Sequence, residues 1–329
     1  MAFRFKLGEP FDDGTKRIAA EQIERAQRLL NDNGDQATSV HETRKSLKRL
    51  RALLRLVRPA MGEDAFKEEN ARLRDIGLSL SGARDRHVLF ETVDKLEAAG
   101  GLDRRNVVEQ LRKAIAAANG EAPPAMQEAS VRLLDAGKRL AELGLAGAGF
   151  DIVGPGLERS YRRARRAFDA AYEKPSDEAF HEWRKGAQAH WRQMTLLARA
   201  WPEYLGARAL EARTLSQLLG DDHDLALLVA FINNPGTSGI SATQAKLVEK
   251  AVRQRQAELR TLARPRGERL FAECPRRLRR SVAAYWSAAA SLKDLETPAD
   301  EAKSAGKGVS KRALRPRPAR RRASPPLDV

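Results

Sequence analysis

Two stretches of this chain read alike: SVHETRKSLKRLRALLRLVR at residues 39–58, followed by Pro59, and AFHEWRKGAQAHWRQMTLLARAW at residues 179–201, followed by Pro202. Aligned without gaps, His41, Glu42, Arg44 and Lys45 fall on His181, Glu182, Arg184 and Lys185. A second echo follows each, SGARDRHVLFETV at 81–93 and LGDDHDLALLVAF at 219–231, so that Asp85 and Asp224 lie 44 and 43 residues beyond their histidines. Shared order at nearly shared spacing identifies an internal duplication. Apolar residues recur three and four apart in both copies and in most segments between residues 15 and 292, with no alternating strand pattern. Breaks fall at Gly34, at residues 59–62, at Gly100-Gly101, Pro123-Pro124, Pro202 and Pro235-Gly236. The Gly-rich segment at 144–156 lies near the middle and marks a boundary. The pattern predicts an all-α chain of two helical repeats, residues 1–149 and 150–296, joined by short loops.

The remaining residues, 297–329, hold nine Lys/Arg, three Asp/Glu, five Pro and no aromatic residue. Such a segment cannot fill a core, and a disordered basic Pro-rich tail is expected there. The whole chain of 329 residues carries 60 Lys+Arg against 44 Asp+Glu, a formal +16, of which the tail accounts for +6. The repeats therefore keep +10, and the partner they call for is an anion. Aromatic content of 5% argues against a protein that works mainly by stacking bases. One cysteine, Cys274, excludes an intrachain disulfide or a multi-cysteine zinc site. With no long apolar run and no apolar leader near the N-terminus, a cytoplasmic protein with no membrane partner is expected.

At about 100° per residue, Arg44, Lys45, Lys48, Arg51 and Arg55 fall within about 80° of His41 on one helix face. Leu47, Leu50, Leu53, Leu54 and Val57 take the opposite arc. In the second copy His181, Arg184, Lys185, Gln188, Arg192 and Arg199 form the equivalent stripe, against Trp183, Ala187, His190, Met194 and Leu197. A solvated basic face usually interleaves acids as i,i+4 pairs, and few stand here. Just upstream of His181, Arg162, Arg163, Arg165 and Arg166 crowd two helical turns. Arginine forks suit phosphate oxygens.

The paired H-x-x-R-K stretches, each followed by a helix with RDRHVL or HDLALL, resemble the CHAD domain, the conserved histidine α-helical domain. The resemblance covers roughly residues 5–295. It implies two antiparallel four-helix bundles related by pseudo-two-fold symmetry, with basic helices lining a shared surface. It also implies binding of inorganic polyphosphate, granule-associated in some relatives, with a polyphosphate-metabolising enzyme as a further partner. Carried over by motif, the ligand-binding residues are His41, Arg44, Lys45, Lys48, Arg51 and Arg55, then His181, Arg184, Lys185 and Arg192. The upstream Arg162, Arg163, Arg165 and Arg166 supplement them. The second copy departs from the family at Gln188, Ala189 and Trp191, where basic residues are usual. The E-x-E-x-K signature of a fused CYTH domain does not occur, so no catalysis is carried over, and no cofactor or metal is expected.

Two other readings stand beside this one. Non-specific nucleic-acid binding through the basic surface and tail would use the same charge. A metal-dependent phosphohydrolase of HD type would use His181, His223 and Asp224, with His87 and Asp222 as further ligands. Against it, Arg84-Asp85 occupies the matched place in the first copy, and arginine cannot ligate a metal. For Asp85 and Asp224, orienting or pairing with the basic helices is the expected role. Near a bound anion, His41 and His181 should take up protons.

Overall fold

The computed structural model describes residues 3–32, 34–80, 84–102, 104–118, 125–234 and 239–305, with backbone alone at 84, 85 and 294–305. These residues form eleven α-helices and two short 3₁₀ turns, and no strand occurs among them. In chain order the helices are α1 (Phe11–Asn31), α2 (Gln36–Met61), α3 (Glu63–Ser79), α4 (Arg84–Ala98), α5 (Arg105–Ala117) and α6 (Met126–Ala141). The second half supplies α7 (Gly154–Glu173), α8 (Asp177–Leu196), α9 (Pro202–Ile232), α10 (Ala242–Leu270) and α11 (Pro275–Ala305). The fold is all-α.

Local chemistry sets the helix ends. Asp35 caps α2 by accepting from the amides of Ala37 and Thr38, at 3.3 and 3.0 Å. Ser176 caps α8 by accepting from the Ala179 amide at 3.1 Å, and the capping box of Ser241 and Gln244 starts α10. Between α2 and α3 the chain turns within one residue, Gly62, at φ +90°, a left-handed conformation that a side chain would strain.

The two copies fold alike with two differences. In the first, α1, α2, α3 and α6 pack into a four-helix bundle; in the second, α7, α8, α9 and α10 do so. Where the second copy has the continuous α9, the first has α3 and α4, and where it has α10, the first has α5 and α6. Two cores result. The larger takes residues from both halves, including Leu50, Leu53, Leu54 and Val57 of α2 and Trp183, Met194 and Leu197 of the second copy. These are the apolar arcs expected from periodicity. The smaller joins α4 and α5 to the C-terminal part of α9 and the N-terminal part of α10, through Val93, Val108, Leu111, Leu228 and Val252.

The described residues up to 290 form one compact unit, and those from 291 onward belong to a second. Of the second unit, the backbone of α11 is described as far as Ala305, past the expected start of the tail at 297. Residues 306–329, the bulk of that tail, lie outside the described residues. No described helix is long and apolar enough to cross a membrane.

The halves meet where α7 crosses α2. A Cβ on Gly156 would stand 1.7 Å from the Leu56 carbonyl oxygen and 3.0 Å from that of Arg55. Backbone cannot yield as a flexible side chain can. Gly156→Ala should therefore cost at least about 3 kcal/mol in chemical denaturation, the upper range for overpacking. A loss under about 1 kcal/mol would show that the crossing is looser than described.

Candidate anion-binding site

The glutamate of each H-E-x-R-K motif is held in the same way. Glu42 pairs with Lys45, one turn on, and with Arg25 of α1 at 2.9 Å. Glu182 pairs with Lys185 and with Arg163 of α7, again at 2.9 Å. These cations hold both carboxyls below the usual glutamate range, against the opposing effect of burial. The next motif residue ties its helix to the following one. Arg44 donates from Nη1 to the Gly77 carbonyl of α3 at 2.6 Å. Arg184 lies against α9, where a Cβ at Gly220 would sit 3.7 Å from its Nε. Much of the motif is thus spent on holding helices together.

Further along both helices the charge is less well matched. Arg51 donates from Nε to the Asn70 side chain at 3.0 Å, and Arg55 from Nη1 back to the Arg51 carbonyl at 3.3 Å. Arg192 is only 8% exposed and bonds the Gln188 carbonyl at 3.1 Å. Burial holds Arg55 down to about 10, helped by the charges of Arg51, Arg163 and Arg58. Arg192 is likewise held at about 10 by burial, then by Arg49, Arg55 and Arg184. Burial also lowers Arg49 and Arg51. On Arg55 and Arg192 the neighbouring charges that act are other arginines, drawn from α2, α7 and α8. Neutral acceptors such as amides and carbonyls orient these guanidiniums without cancelling their charge.

Not every expected residue joins this seam. Arg163 lies at its edge: exposed and paired with Glu182, it is near enough for its charge to act on Arg55. Arg162 instead pairs with Glu158 on its own helix, Arg165 donates to the Glu273 carbonyl at 3.2 Å, and Arg166 is exposed. His41 and Lys48 are part-exposed on α2. Arg49 belongs to the cluster but stood outside the expected set. It lies about 80° from His41, the same angular limit as Arg51 on the other side, so its position was visible in the helical wheel.

His181 and His223 bring α8 and α9 together, their rings 4.1 Å apart. Burial, then Lys185 and Arg184, lowers the pKa of His181; burial, then Arg184 and His181, brings His223 to about 4. Both rings therefore favour the neutral form. Apart from this histidine pair, the residues of the hydrolase reading are dispersed. Asp222, buried, is paired with Arg260 at 2.7 Å, and His87 faces Glu91 at 3.4 Å on the surface. Asp224 shares a cleft between α4, α9 and α10 with Lys95 and Asp221, and the side chain of Asp85 lies outside the described residues. Among the described residues no group of three or more His, Cys, Asp or Glu is placed to hold a metal. His190 is structural: fully buried, it accepts from Arg208 Nε at 3.1 Å.

The CHAD domain model matches residues 17–233, and the chain belongs to the CHAD-domain family. The fold is similar to that of PptA from Streptomyces chartreusis, with a TM-score of 0.54 at 14% identity, over 80% of this chain and all of that one. No curated protein matches in sequence.

The neutral histidines make stability pH-dependent. His181, His190 and His223 have depressed values, so the unfolded chain takes up protons first as pH falls. Their contribution is complete above about 6.5, the ordinary histidine value, and is lost as pH falls toward about 4. The melting temperature should drop between pH 7 and 5, and His223→Gln should lessen that drop. A flat profile would show that these rings protonate freely in the fold.

Proposed function

We propose that this protein binds inorganic polyphosphate along the seam between α2 and α8. The observation that carries the reading is the pair Arg55, half-buried, and Arg192, buried, each acted on by like charge. Such a cluster is unfavourable by itself and becomes favourable when an anion enters. Its shape fits a linear one. Arg44, Lys48, Arg51 and Arg55 recur every three or four residues along α2, close to the 5.4 Å pitch of the helix. Successive phosphates can be matched by successive turns, and each contact releases counterions. The pattern offers charge and forks but no base-reading element, which favours a phosphate polymer over a nucleic-acid sequence. The reading is one of binding and not turnover, because Asp222 and Glu182 beside the histidines are already committed to arginine and lysine. Family resemblance supports the same ligand, with storage granules and a polyphosphate-metabolising enzyme as the setting.

Two measurements test this. Arg55→Gln and Arg192→Gln should each weaken polyphosphate binding about tenfold, as expected for one charge-assisted contact, while thermal stability stays level or rises because an unneutralised buried charge is gone. Loss of stability together with retained affinity would make the two arginines structural and place the ligand elsewhere. Affinity should also rise as pH is lowered from 8 to 6. A bound phosphate favours the protonated form of His181 and His223, so binding takes up protons. Affinity that is level over this range, measured at fixed ionic strength, would put the ligand away from both rings. Double-stranded DNA that displaces polyphosphate at equal phosphate concentration would favour the nucleic-acid reading.

A further inference from the structure

The second copy carries an aromatic ring where the first carries a cation. In the ungapped alignment of the two motifs Trp191 takes the place of Arg51. Trp191 is half-buried on α8, packed on the main core, and two guanidiniums approach its ring: Arg192 at 4.6 Å and Arg213 of α9 at 5.6 Å from the centroid. Neighbouring residues on a helix point about 100° apart, so Arg192 must fold back to reach the indole. That same Arg192 belongs to the like-charge cluster with Arg49, Arg55 and Arg184. Arg213 is exposed and can swing away, leaving its place over the indole to another planar group. A flat ring thus stands beside phosphate-binding arginines, with Arg184 two turns away, about 10 Å along the helix axis.

We propose that Trp191, Arg192 and Arg213 form a nucleoside-polyphosphate subsite at one end of the seam, the base stacking on Trp191 and the phosphates lying on the arginines. The proposal rests on the anion cluster described above and adds a ligand that the cluster alone does not define. A plain phosphate chain has nothing to place on an indole. A nucleobase does, and stacking of this kind is tolerant of base identity. The subsite belongs to the second copy only, since Arg51 in the first offers charge without a ring.

The test compares ATP with tripolyphosphate, titrated calorimetrically into the full chain without divalent metal and at matched ionic strength. Tripolyphosphate is the more highly charged, so a purely electrostatic site takes it more tightly. With the subsite, ATP binds more tightly by about fivefold or more, the range expected for one stacked base. Trp191→Leu lowers the ATP-to-tripolyphosphate affinity ratio about tenfold, and Trp191→Phe, which keeps a stacking face, retains most of it. ATP binding no more tightly than tripolyphosphate overturns the subsite and leaves the anion cluster standing. A ratio unmoved in Trp191→Leu does the same. If neither ligand binds the unaltered chain, the cluster reading falls and the subsite with it. The wild-type comparison decides the matter whether or not the Leu variant folds.

Discussion

The crossing of α7 over α2 leaves no room for a side chain at residue 156, because the Leu56 carbonyl oxygen occupies the place where its Cβ would be. Helices that approach so closely bring whatever flanks the contact with them. Arg55 precedes Leu56, and the crossing sets it near Arg163 of α7, while Arg192 reaches it from α8. The same turn of α2 is therefore both the joint between halves and one end of the charged seam. A fold selected for stability alone would place apolar side chains at such a joint. Guanidiniums can stand there because Leu53, Leu54, Leu56 and Val57 of α2 and Leu196 and Leu197 of the second copy are fully buried around it. Packing on that scale outweighs the repulsion and holds the charges in position.

Much of this was legible in the chain. The 3.6-residue period separated Leu47, Leu50, Leu53, Leu54 and Val57 from the basic stripe, and all five are buried. The duplication was legible because H-E-x-R-K is short, polar and spaced alike in both copies. What could not be read was which charges meet other helices and which meet like charge. Arg44 and Arg55 look equivalent on a helical wheel, yet one is docked on the Gly77 carbonyl of α3 and the other faces arginines. The difference comes from helices far apart in sequence, and periodicity within α2 carries no information about them. The four arginines at 162–166 illustrate the same limit. Their crowding was plain, but a helix distributes consecutive residues around its axis, and Arg163 is the one whose charge acts on Arg55. The continuity of α9 was also hidden, since the apolar pattern is interrupted between residues 219 and 224 as it is between 81 and 84, yet only the first copy divides into two helices there.

The halves have diverged in a way that follows from the physics of burial. On α2, three arginines, Arg49, Arg51 and Arg55, are partly withdrawn from water; at the aligned places α8 has Ala189, Trp191 and Thr195. The second copy instead carries an aromatic core in which Phe168, Tyr172, Phe180 and Trp183 lie with ring centroids 5.1 to 6.1 Å apart. Each buried cation costs solvation, so a seam with the full arginine set on both sides would lose stability twice for one ligand. Duplication permits a division: one copy concentrates charge, and the other supplies apolar and aromatic burial that sustains it. Arg192 then acts as the second copy's main contribution to the seam, and Trp191 beside it is what remains where a cation was dispensable. The pseudo-symmetric fold thus carries an asymmetric electrostatic surface, and a ligand lying along it meets different chemistry at its two ends.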